Sequence, residues 1–501
     1  MKKFLSFVGF SNEKQTTVRT EIVAGIVTFL AMAYILTVNP DQIFGKGNPY
    51  WASCFIATAL GAIIGTLLMA FFAKMPLAQA SGMGLNSMLG GMLAGRGGYG
   101  TFTPGQAFFL VLISGLVFLL LSVIAIKGKT FRELVFDGMP VAVRGAISVG
   151  IGLFIAYIGF QNAGIILTND YTQVALVNFK DFNGLQYVND GFGVAPIYAA
   201  KTATVALIGL ALIAVLDKLK VKGSIIFGIL GATVVGIPFG VTDLSVLKGT
   251  DAVSWKFWEN FADFFSGKES VFGSFVDVFK DGVIPGDSSI FAVILAVIAM
   301  CMIDMFDTMG TIVGCCGGNR ILSDENDKPH NYGKIMISDA VATCTGAMLG
   351  TSTVTTFVES GAGVSAGGRT GLTAFTTACM FVLALFAMPI FYAIPSAAAA
   401  SALIYVGVLM MKNNIKSVDF SNAINATAAF LTIVVMVLSY SITTGIGIGL
   451  LSFTAMSALA YLVDLVKFAC KKGEKPVWNV SVVALVVTAL FCVYFFVPVK
   501  L

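Results

Sequence analysis

Residues 351–369 read TSTVTTFVESGAGVSAGGR, a run of hydroxyl side chains and glycines with one glutamate, set among apolar stretches. A similar interruption at residues 79–87 reads QASGMGLNS. Irregular backbone survives at membrane depth only where it is buried in protein or lines a wet cavity. Half-helices that begin in such breaks point free N–H groups at a ligand, so paired breaks indicate a transporter's binding site. The alternative is that the glycines serve only close helix packing.

The composition around the two breaks is that of a membrane protein. Of the 501 residues, 57% are hydrophobic and only 12% are charged, about half the charged share of a soluble domain. The mean hydropathy is +0.88. A soluble domain of this composition would expose its apolar surface to water, so we predict an all-α polytopic protein embedded in a lipid bilayer.

The number and spacing of the histidine, basic and cysteine residues exclude several kinds of site. His330 is the single histidine and lies in a polar loop, which excludes a histidine proton relay within the membrane. The 31 lysines and arginines form no long basic run, so we expect no nucleic-acid partner. The eight cysteines show no CxxC spacing, so we predict neither a disulfide framework nor a zinc site. No cofactor and no metal are expected.

The apolar stretches fall into two similar halves. Met139-Pro140 and Ile394-Pro395 precede similar apolar sequences, and the two breaks have a comparable offset. Seven elements, a long polar connection and seven more predict an inverted repeat, because an odd number of spans flips the second copy. A final stretch at 478–498 lies outside this plan. The predicted stretches are 21–38, 51–73, 78–95, 106–126, 141–160, 201–216, 224–241, 288–308, 334–350, 354–366, 371–392, 396–411, 425–442, 444–466 and 478–498.

The distribution of lysine and arginine predicts the orientation. When the N-terminus is placed in the cytoplasm and the stretches alternate, most basic residues fall in cytoplasmic loops. This holds only if both interrupted segments cross the membrane. A bacterial plasma membrane, with a cytoplasmic N-terminus, is the expected location.

Two aspartates close the stretch that begins near residue 288. Asp304 and Asp307 are three residues apart and share a helical face, which Thr311 continues. A carboxylate at mid-bilayer costs about 2.5–3.5 kcal/mol, so it suggests a functional site. We favour Asp307 for the site and rank Asp304 second. The alternative is that the pair lies solvated at the cytoplasmic interface. We expect no second mid-membrane aspartate on another helix.

The residue types at the breaks favour a planar ligand with N–H donors and ring acceptors. Carboxylates accept from N–H groups, and the amide of Asn86 can read an adjacent donor and acceptor. Phe306 and Phe357 could offer stacking faces beside the acids. A carboxylate removed from water takes up a proton more readily, so it could carry one across. The further predicted binding residues are Thr356, Ser360 and Gly84.

Four motifs of the chain resemble those of a known family. EIVAGIVTFLAMAYILTVNP (21–40), SGMGLNSMLG (81–90), MFDTMGT (305–311) and TSTVTTFVESGAGVSAGGRTGLTA (351–374) are similar to the purine-base permeases of the nucleobase–cation symporter-2 class. The AzgA-like branch, which carries adenine, guanine and hypoxanthine, matches best. The resemblance implies fourteen segments in two inverted repeats, short strands before half-helices in segments three and ten, and proton symport. It also implies a homodimer through the gate domain as the assembly to test.

The family's functional positions fall on residues already selected. Its third-segment asparagine falls on Asn86, its eighth-segment aspartate on Asp307 and its tenth-segment glutamate on Glu359, with proton coupling on the two acids. Asp304 is not a position that the family pattern requires. The implied domains are a cytoplasmic segment (1–20), a core (21–126 and 288–392), a gate (127–241 and 393–466), an extracytoplasmic connection (242–287) and a C-terminal segment with the extra stretch (467–501).

Three other functions are alternatives to a purine carrier: an anion exchanger, an intramembrane aspartyl protease and a channel, which a saturable, proton-dependent uptake assay separates from a carrier. An anion exchanger on the same fold would place a positive residue at the half-helix junction, where this chain has Glu359. An intramembrane aspartyl protease would need two facing aspartates on different helices, whereas Asp304 and Asp307 lie on one. The sequence therefore predicts a transporter and not an enzyme, and it ranks neither the purines nor proton against sodium.

Overall fold

The computed structural model describes residues 2–10, 14–95, 102–126, 129–130, 134, 138–169, 172–189, 194–248, 254–267, 269–283, 290–316, 321–323, 329–470 and 477–496. Helices dominate these ranges. In chain order they are α1 Lys2–Phe7, α2 Val18–Met32, α3 Ile35–Ile43, α4 Trp51–Leu68, α5 Met83–Leu93, α6 Pro104–Val123, α7 Val141–Asn162, α8 Ala199–Lys218, α9 Ser224–Gly236, α10 Phe257–Ser266, α11 Val271–Asp281, α12 Ile290–Cys316, α13 Tyr332–Leu349, α14 Ser360–Ser365, α15 Gly371–Leu385, α16 Met388–Ala393, α17 Ser396–Asn414, α18 Ala423–Leu438, α19 Ile442–Ala469 and α20 Val482–Phe496.

Short strands and turns complete the described secondary structure. A π-helical turn, Met69–Ala73, extends α4, and 3-10 turns lie at Ser245–Lys248 and Ile415–Ser417. The strands are β1 Gln79–Ser81, β2 Ala125–Ile126, β3 Lys129–Thr130, β4 Ile166–Asn169, β5 Gln173–Leu176, β6 Gln186–Asn189, β7 Val194–Ile197 and β8 Val354–Thr356.

The length and apolarity of the helices fit a multi-pass membrane protein. Among the described residues, six helices are long and apolar enough to cross a bilayer: Val18–Ile43, Trp51–Ala73, Pro104–Val123, Val141–Asn162, Ala199–Lys218 and Ile442–Ala469. Shorter apolar helices lie at Ser224–Gly236, Gly371–Leu385, Ser396–Lys412, Ala423–Leu438 and Val482–Val493.

The two interrupted segments meet in a two-stranded antiparallel sheet. β1 pairs with β8 in the register Gln79 with Thr356, Ala80 with Thr355 and Ser81 with Val354. Each strand leads into a half-helix, α5 after β1 and α14 after β8. The sheet satisfies backbone groups that no water would reach at this depth. The prediction of strands and half-helices in segments three and ten is therefore confirmed.

Glycines let helices approach this small sheet closely. A Cβ on Gly346 of α13 would lie 2.5 Å from a methyl carbon of Val354, and one on Gly61 of α4 would lie 3.1 Å from it. α4 and α13 pack against each other as well as against the strands. Any larger side chain at Gly346 would push β8 away from its position.

The first predicted stretch is a broken helix. α2 ends at Met32 and α3 begins at Ile35, so Ala33 and Tyr34 lie at a break inside the predicted 21–38 segment. Glu21 lies in the first turn of α2 and also contacts the start of α15. Its carboxylate accepts from the backbone N–H of Arg369 at 2.9 Å and from the hydroxyl of Thr373 at 2.6 Å.

Two long polar connections, 168–200 and 242–287, contain regular secondary structure among their described residues. The one at 168–200 includes antiparallel hairpins, β4 with β5 and β6 with β7. The one at 242–287 contains the helices α10 and α11. Both helices are amphipathic and short, which a search for long apolar stretches misses.

The described residues divide into two compact units. The first comprises 1–120 and 155–406 and contains both breaks; the second comprises 121–154 and 407–500. In the second unit, α18 packs on α19, and α19 packs on α20. The hydroxyls of Thr454 and Thr488 lie 3.0 Å apart between α19 and α20.

Candidate functional site

Glu359 lies where β8 gives way to the half-helix α14, at the N-cap position of that helix. The side chain is buried, and its Oε1 accepts a hydrogen bond from the Tyr34 hydroxyl at 2.5 Å. Its Oε2 has no hydrogen-bond partner within the described part of the chain. A buried carboxylate oxygen is costly unless it is paired, so Oε2 is available to accept from a bound donor.

Asn86 approaches the same region from the other break. It lies in the first turns of α5 and is fully buried. Its Oδ1 accepts from the Ser352 hydroxyl, which joins the two interrupted segments. Its Nδ2 has no acceptor among the described residues, and the buried hydroxyl of Thr353 has no partner there either. Open donors and acceptors on two segments that are joined to each other are typical of a polar binding site.

Asp307 contributes the second carboxyl group. It lies on α12, is partly exposed, and interacts electrostatically with Asp339 and Glu359 beside the Thr355 hydroxyl. Asp304, one turn earlier, is buried and accepts from Thr343 of α13 at 3.2 Å. Asp307 therefore neighbours Glu359, whereas Asp304 bonds to the adjacent helix.

Asp339 corrects one expectation: a second aspartate does lie within another buried helix. It is fully buried in the middle of α13. Its Oδ1 accepts from Gln79 Nε2 at 2.9 Å and from the backbone N–H and hydroxyl of Thr356 at 3.1 and 3.2 Å. Its Oδ2 accepts from the Thr308 hydroxyl at 2.7 Å. Asp339 thus ties α12 and α13 to both strands, and these bonds occupy it as a structural acceptor.

The remaining predicted site residues take different positions. The Thr356 hydroxyl is bonded to Asp339, and the Ser360 hydroxyl accepts from the backbone N–H of Ala78 at 2.9 Å, so both hydroxyls hold the breaks together. Phe357 is buried, and its N–H donates to Ala78 at 3.0 Å. Gly84 is buried in α5, and Thr311 is buried on α12. The side chain of Phe306 lies outside the described residues.

Tyr34 is the site residue that the sequence reasoning did not find. It is 1% exposed at the break between α2 and α3, and its hydroxyl contacts both Glu359 and the sulfur of Met83, the latter at 3.7 Å. A signal was present, because a lone tyrosine in an otherwise apolar helix needs a hydroxyl partner. The hydropathy pattern hides the helix break that places it.

The described residues contain no cluster of three or more histidine, cysteine, aspartate or glutamate side chains that could hold a metal ion. Glu359, Asp304 and Asp339 accept hydrogen bonds from hydroxyl, amide and backbone donors. The candidate site therefore combines carboxyl groups with an amide and hydroxyls.

Comparison with a solved structure identifies the fold. The transmembrane domain of a cyanobacterium bicarbonate transporter, BicA, matches with a TM-score of 0.54 at 15% identity, covering 85% of this chain and 96% of that one. The match and the paired breaks give an all-α polytopic transporter fold built from an inverted repeat.

Comparison of sequences identifies the family. A model described as "Permease family" (Xan_ur_permease) matches residues 19–448. The guanine/hypoxanthine permease PbuO of Bacillus subtilis is 34% identical over 450 residues, 89% of this chain and 93% of the relative. The adenine permease AdeP of Escherichia coli is 32% identical over 445 residues, 89% of this chain and 88% of the relative. The chain is thus a multi-pass membrane transporter rather than an enzyme, and it belongs to this permease family.

Proposed function

We propose that the protein imports purine nucleobases by proton symport, with the base bound between α5, α12 and α14. The observation that carries the proposal is the open pair Glu359 Oε2, a buried acceptor near Asp307, and Asn86 Nδ2, a buried donor on the half-helix of the other break. The names of the relatives, guanine/hypoxanthine and adenine permeases, support the substrate class.

A purine ring offers what these groups lack. Ring N–H groups can donate to Glu359, and ring nitrogen or carbonyl acceptors can accept from Asn86. Phe357 supplies an apolar wall beside the half-helix, and Phe306 is the second predicted aromatic. The half-helix N-termini of α5 and α14 add positive dipole ends, which favour electron-rich edges of the base.

The placement of the two acids supports proton coupling. Burial disfavours the charged form of a carboxyl group, and a second carboxylate nearby disfavours it further. Asp307 and Glu359 would therefore load a proton together with the base on one side and release both on the other. Tyr34 donates to Glu359 and would hold that carboxyl in place through the cycle.

The transport cycle requires two parts that move against each other. We propose the core and gate division stated from the sequence, with the N-terminus in the cytoplasm and the connection 242–287 outside. The residues of the site, from Tyr34 to Glu359, fall in the proposed core. A homodimer through the proposed gate is the assembly to test.

Uptake into cells or proteoliposomes tests the function. Radiolabelled hypoxanthine should accumulate saturably, and unlabelled purines should compete where pyrimidines and bicarbonate do not. Uptake should fall as external pH rises from about 6 to 8, because fewer protons load the carboxyl groups from outside. A protonophore should abolish accumulation. Competition by bicarbonate alone would favour the anion alternative, non-saturable flux would favour a channel, and rescue by a sodium gradient would replace the proton as coupling ion.

A further inference from the structure

The helices α10 and α11 form a pair that is fixed to the first unit through one face. Phe264, Val271 and Phe275 are buried. The backbone N–H of Val271 donates to the Ser53 hydroxyl at 3.0 Å, which joins the start of α11 to α4. A Cβ on Gly105 would lie 2.0 Å from the Ser274 carbonyl oxygen, so α11 also approaches α6 backbone to backbone. The pair is therefore packed in place.

A second face of both helices is apolar and exposed. Trp258 is 78% exposed and Phe265, two turns later, is 48% exposed. On α11, Val276 and Phe279 are 43% and 63% exposed. These four side chains, which we name the aromatic face, stand beside the buried face of their helices, since residues seven apart share a helical side. Water is a poor solvent for such a surface.

A third face is charged. Glu259 and Asp263 are exposed on α10, and Asp277 and Lys280 are exposed on α11. Lys280 lies 2.9 Å from Asp277 in a solvent-exposed pair. A helix that lies on a protein in water needs only two faces, one buried and one polar. Three faces suit a helix that meets protein, lipid and water at once.

The aromatic face continues onto helices that cross the membrane. The ring centroids of Phe279 and Phe109 of α6 lie 5.6 Å apart. Farther along α6, Leu116 and Leu120 are 51% and 58% exposed on a predicted span. At the other end, the ring of Phe257 lies 4.5 Å from that of Phe386, which follows α15. The exposed apolar surface of α6 thus meets that of α11 at Phe279, and α10 contacts the end of α15 at Phe257.

We propose that α10 and α11 lie in the interfacial layer of the bilayer, with Trp258, Phe265, Val276 and Phe279 among the lipid chains and headgroups. The polar connection 242–287 then serves as a membrane-embedded strap across the ends of α4 and α6. Under the proposed topology this is the outer leaflet. Tryptophan and phenylalanine favour this layer, and the charged face turns to water.

The test measures lipid and water contact at matched positions. Nitroxide labels are placed through Trp258→Cys and Phe279→Cys on the aromatic face, and through Glu259→Cys and Lys280→Cys on the charged face. The background carries Cys379→Ser, Cys470→Ser and Cys492→Ser, because these native thiols are exposed or partly exposed. Proteins are reconstituted in vesicles of phosphatidylethanolamine and phosphatidylglycerol, and retained uptake confirms the fold of each variant.

Oxygen, which concentrates in lipid, should relax the labels at 258 and 279 several-fold more than a water-soluble nickel chelate does. The ratio should reverse at 259 and 280. Equal nickel access at all four positions would place the aromatic face in water and overturn the proposal. Protection of 258 and 279 from both reagents would mean that protein, such as a second copy, covers the face, and this too would overturn it.

A second measurement avoids cysteine variants. Vesicles containing lipids brominated near the headgroup should quench the fluorescence of the native protein, and Trp258→Phe should remove most of that quenching. Trp255→Phe is the matched control, because Trp255 donates to the Leu247 carbonyl at 2.7 Å and lies outside the helix. Quenching that is unchanged in Trp258→Phe would also contradict the proposal.

Discussion

The two breaks have the same architecture but different chemistry. The first, β1 and α5, supplies the amide of Asn86, and its junction residue is Gly82; the second, β8 and α14, has Glu359 at the corresponding junction. Asp307 and the buried acids Asp304 and Asp339 also lie in the second half of the chain.

Duplication of a scaffold therefore does not require duplication of its chemistry. Each copy needs a strand to complete the sheet and a half-helix to end it, because backbone groups at this depth must be satisfied. Side chains at the junctions are free of that constraint. We infer that the first break mainly hydrogen-bonds the ligand, whereas the second break also supplies the carboxyl group that binds the proton. The following variants test this division.

The largest effect is expected at the charged junction. Glu359→Gln should abolish accumulation, because the amide keeps the size of the side chain but cannot carry the proton. A hydrogen bond to a charged group contributes about 1.5–3 kcal/mol, so the affinity for base should fall roughly ten- to a hundredfold. Uptake and equilibrium binding of radiolabelled hypoxanthine measure the two losses. Glu259→Gln, on the exposed face of α10, is the control and should leave uptake unchanged. Near-normal uptake by Glu359→Gln would contradict the assignment of Glu359 to the binding site.

The next effect should separate the two aspartates of α12. Asp307→Asn should reduce uptake severely, because Asp307 neighbours Glu359. Asp304→Asn should be milder, because Asp304 accepts from Thr343 on the adjacent helix. Uptake rates normalised to the amount of protein in the membrane give the comparison. Equal losses would mean that the two acids titrate as one coupled pair.

A smaller loss, of stability more than affinity, is expected at Asp339. Asp339→Asn removes the charge that strengthens these four hydrogen bonds and replaces one acceptor oxygen with a donor, at a cost of about 1–3 kcal/mol. The purified variant should melt at a lower temperature than the parent, by fluorescence-detected thermal unfolding. Asp263→Asn, on an exposed face, should leave the melting temperature unchanged. An unchanged temperature for Asp339→Asn would show that its bonds do not hold the sheet.

The smallest loss of transport is expected for a variant of the first break, which contributes the neutral amide of Asn86. Asn86→Ala removes a neutral hydrogen bond worth about 0.5–1.5 kcal/mol, so the apparent affinity should fall roughly two- to tenfold. The dependence of uptake on external pH should stay that of the parent, because no proton carrier is lost. A changed pH profile in Asn86→Ala would contradict the division of roles between the two breaks.

Much of this protein is determined by the sequence alone. Hydropathy, the paired breaks and the similar halves predict a polytopic inverted repeat, and the motifs predict the family, because these features are local or periodic along the chain. The same reasoning selects Asn86, Asp307 and Glu359, since polar groups are expensive in an apolar stretch. Their roles in binding and coupling stay predictions.

The partners of these residues were decided only by the tertiary structure. Tyr34 meets Glu359 across 325 positions of sequence, and Gln79 meets Asp339 across 260. Nothing in a local pattern specifies which hydroxyl or amide will face a buried acid, because that depends on how breaks and helices pack. Packing also decides that the hydroxyls of Thr356 and Ser360 bond within the joined breaks and that Glu21 contacts the start of α15. The aromatic face lies on the polar connection 242–287, where hydropathy alone predicts no membrane contact.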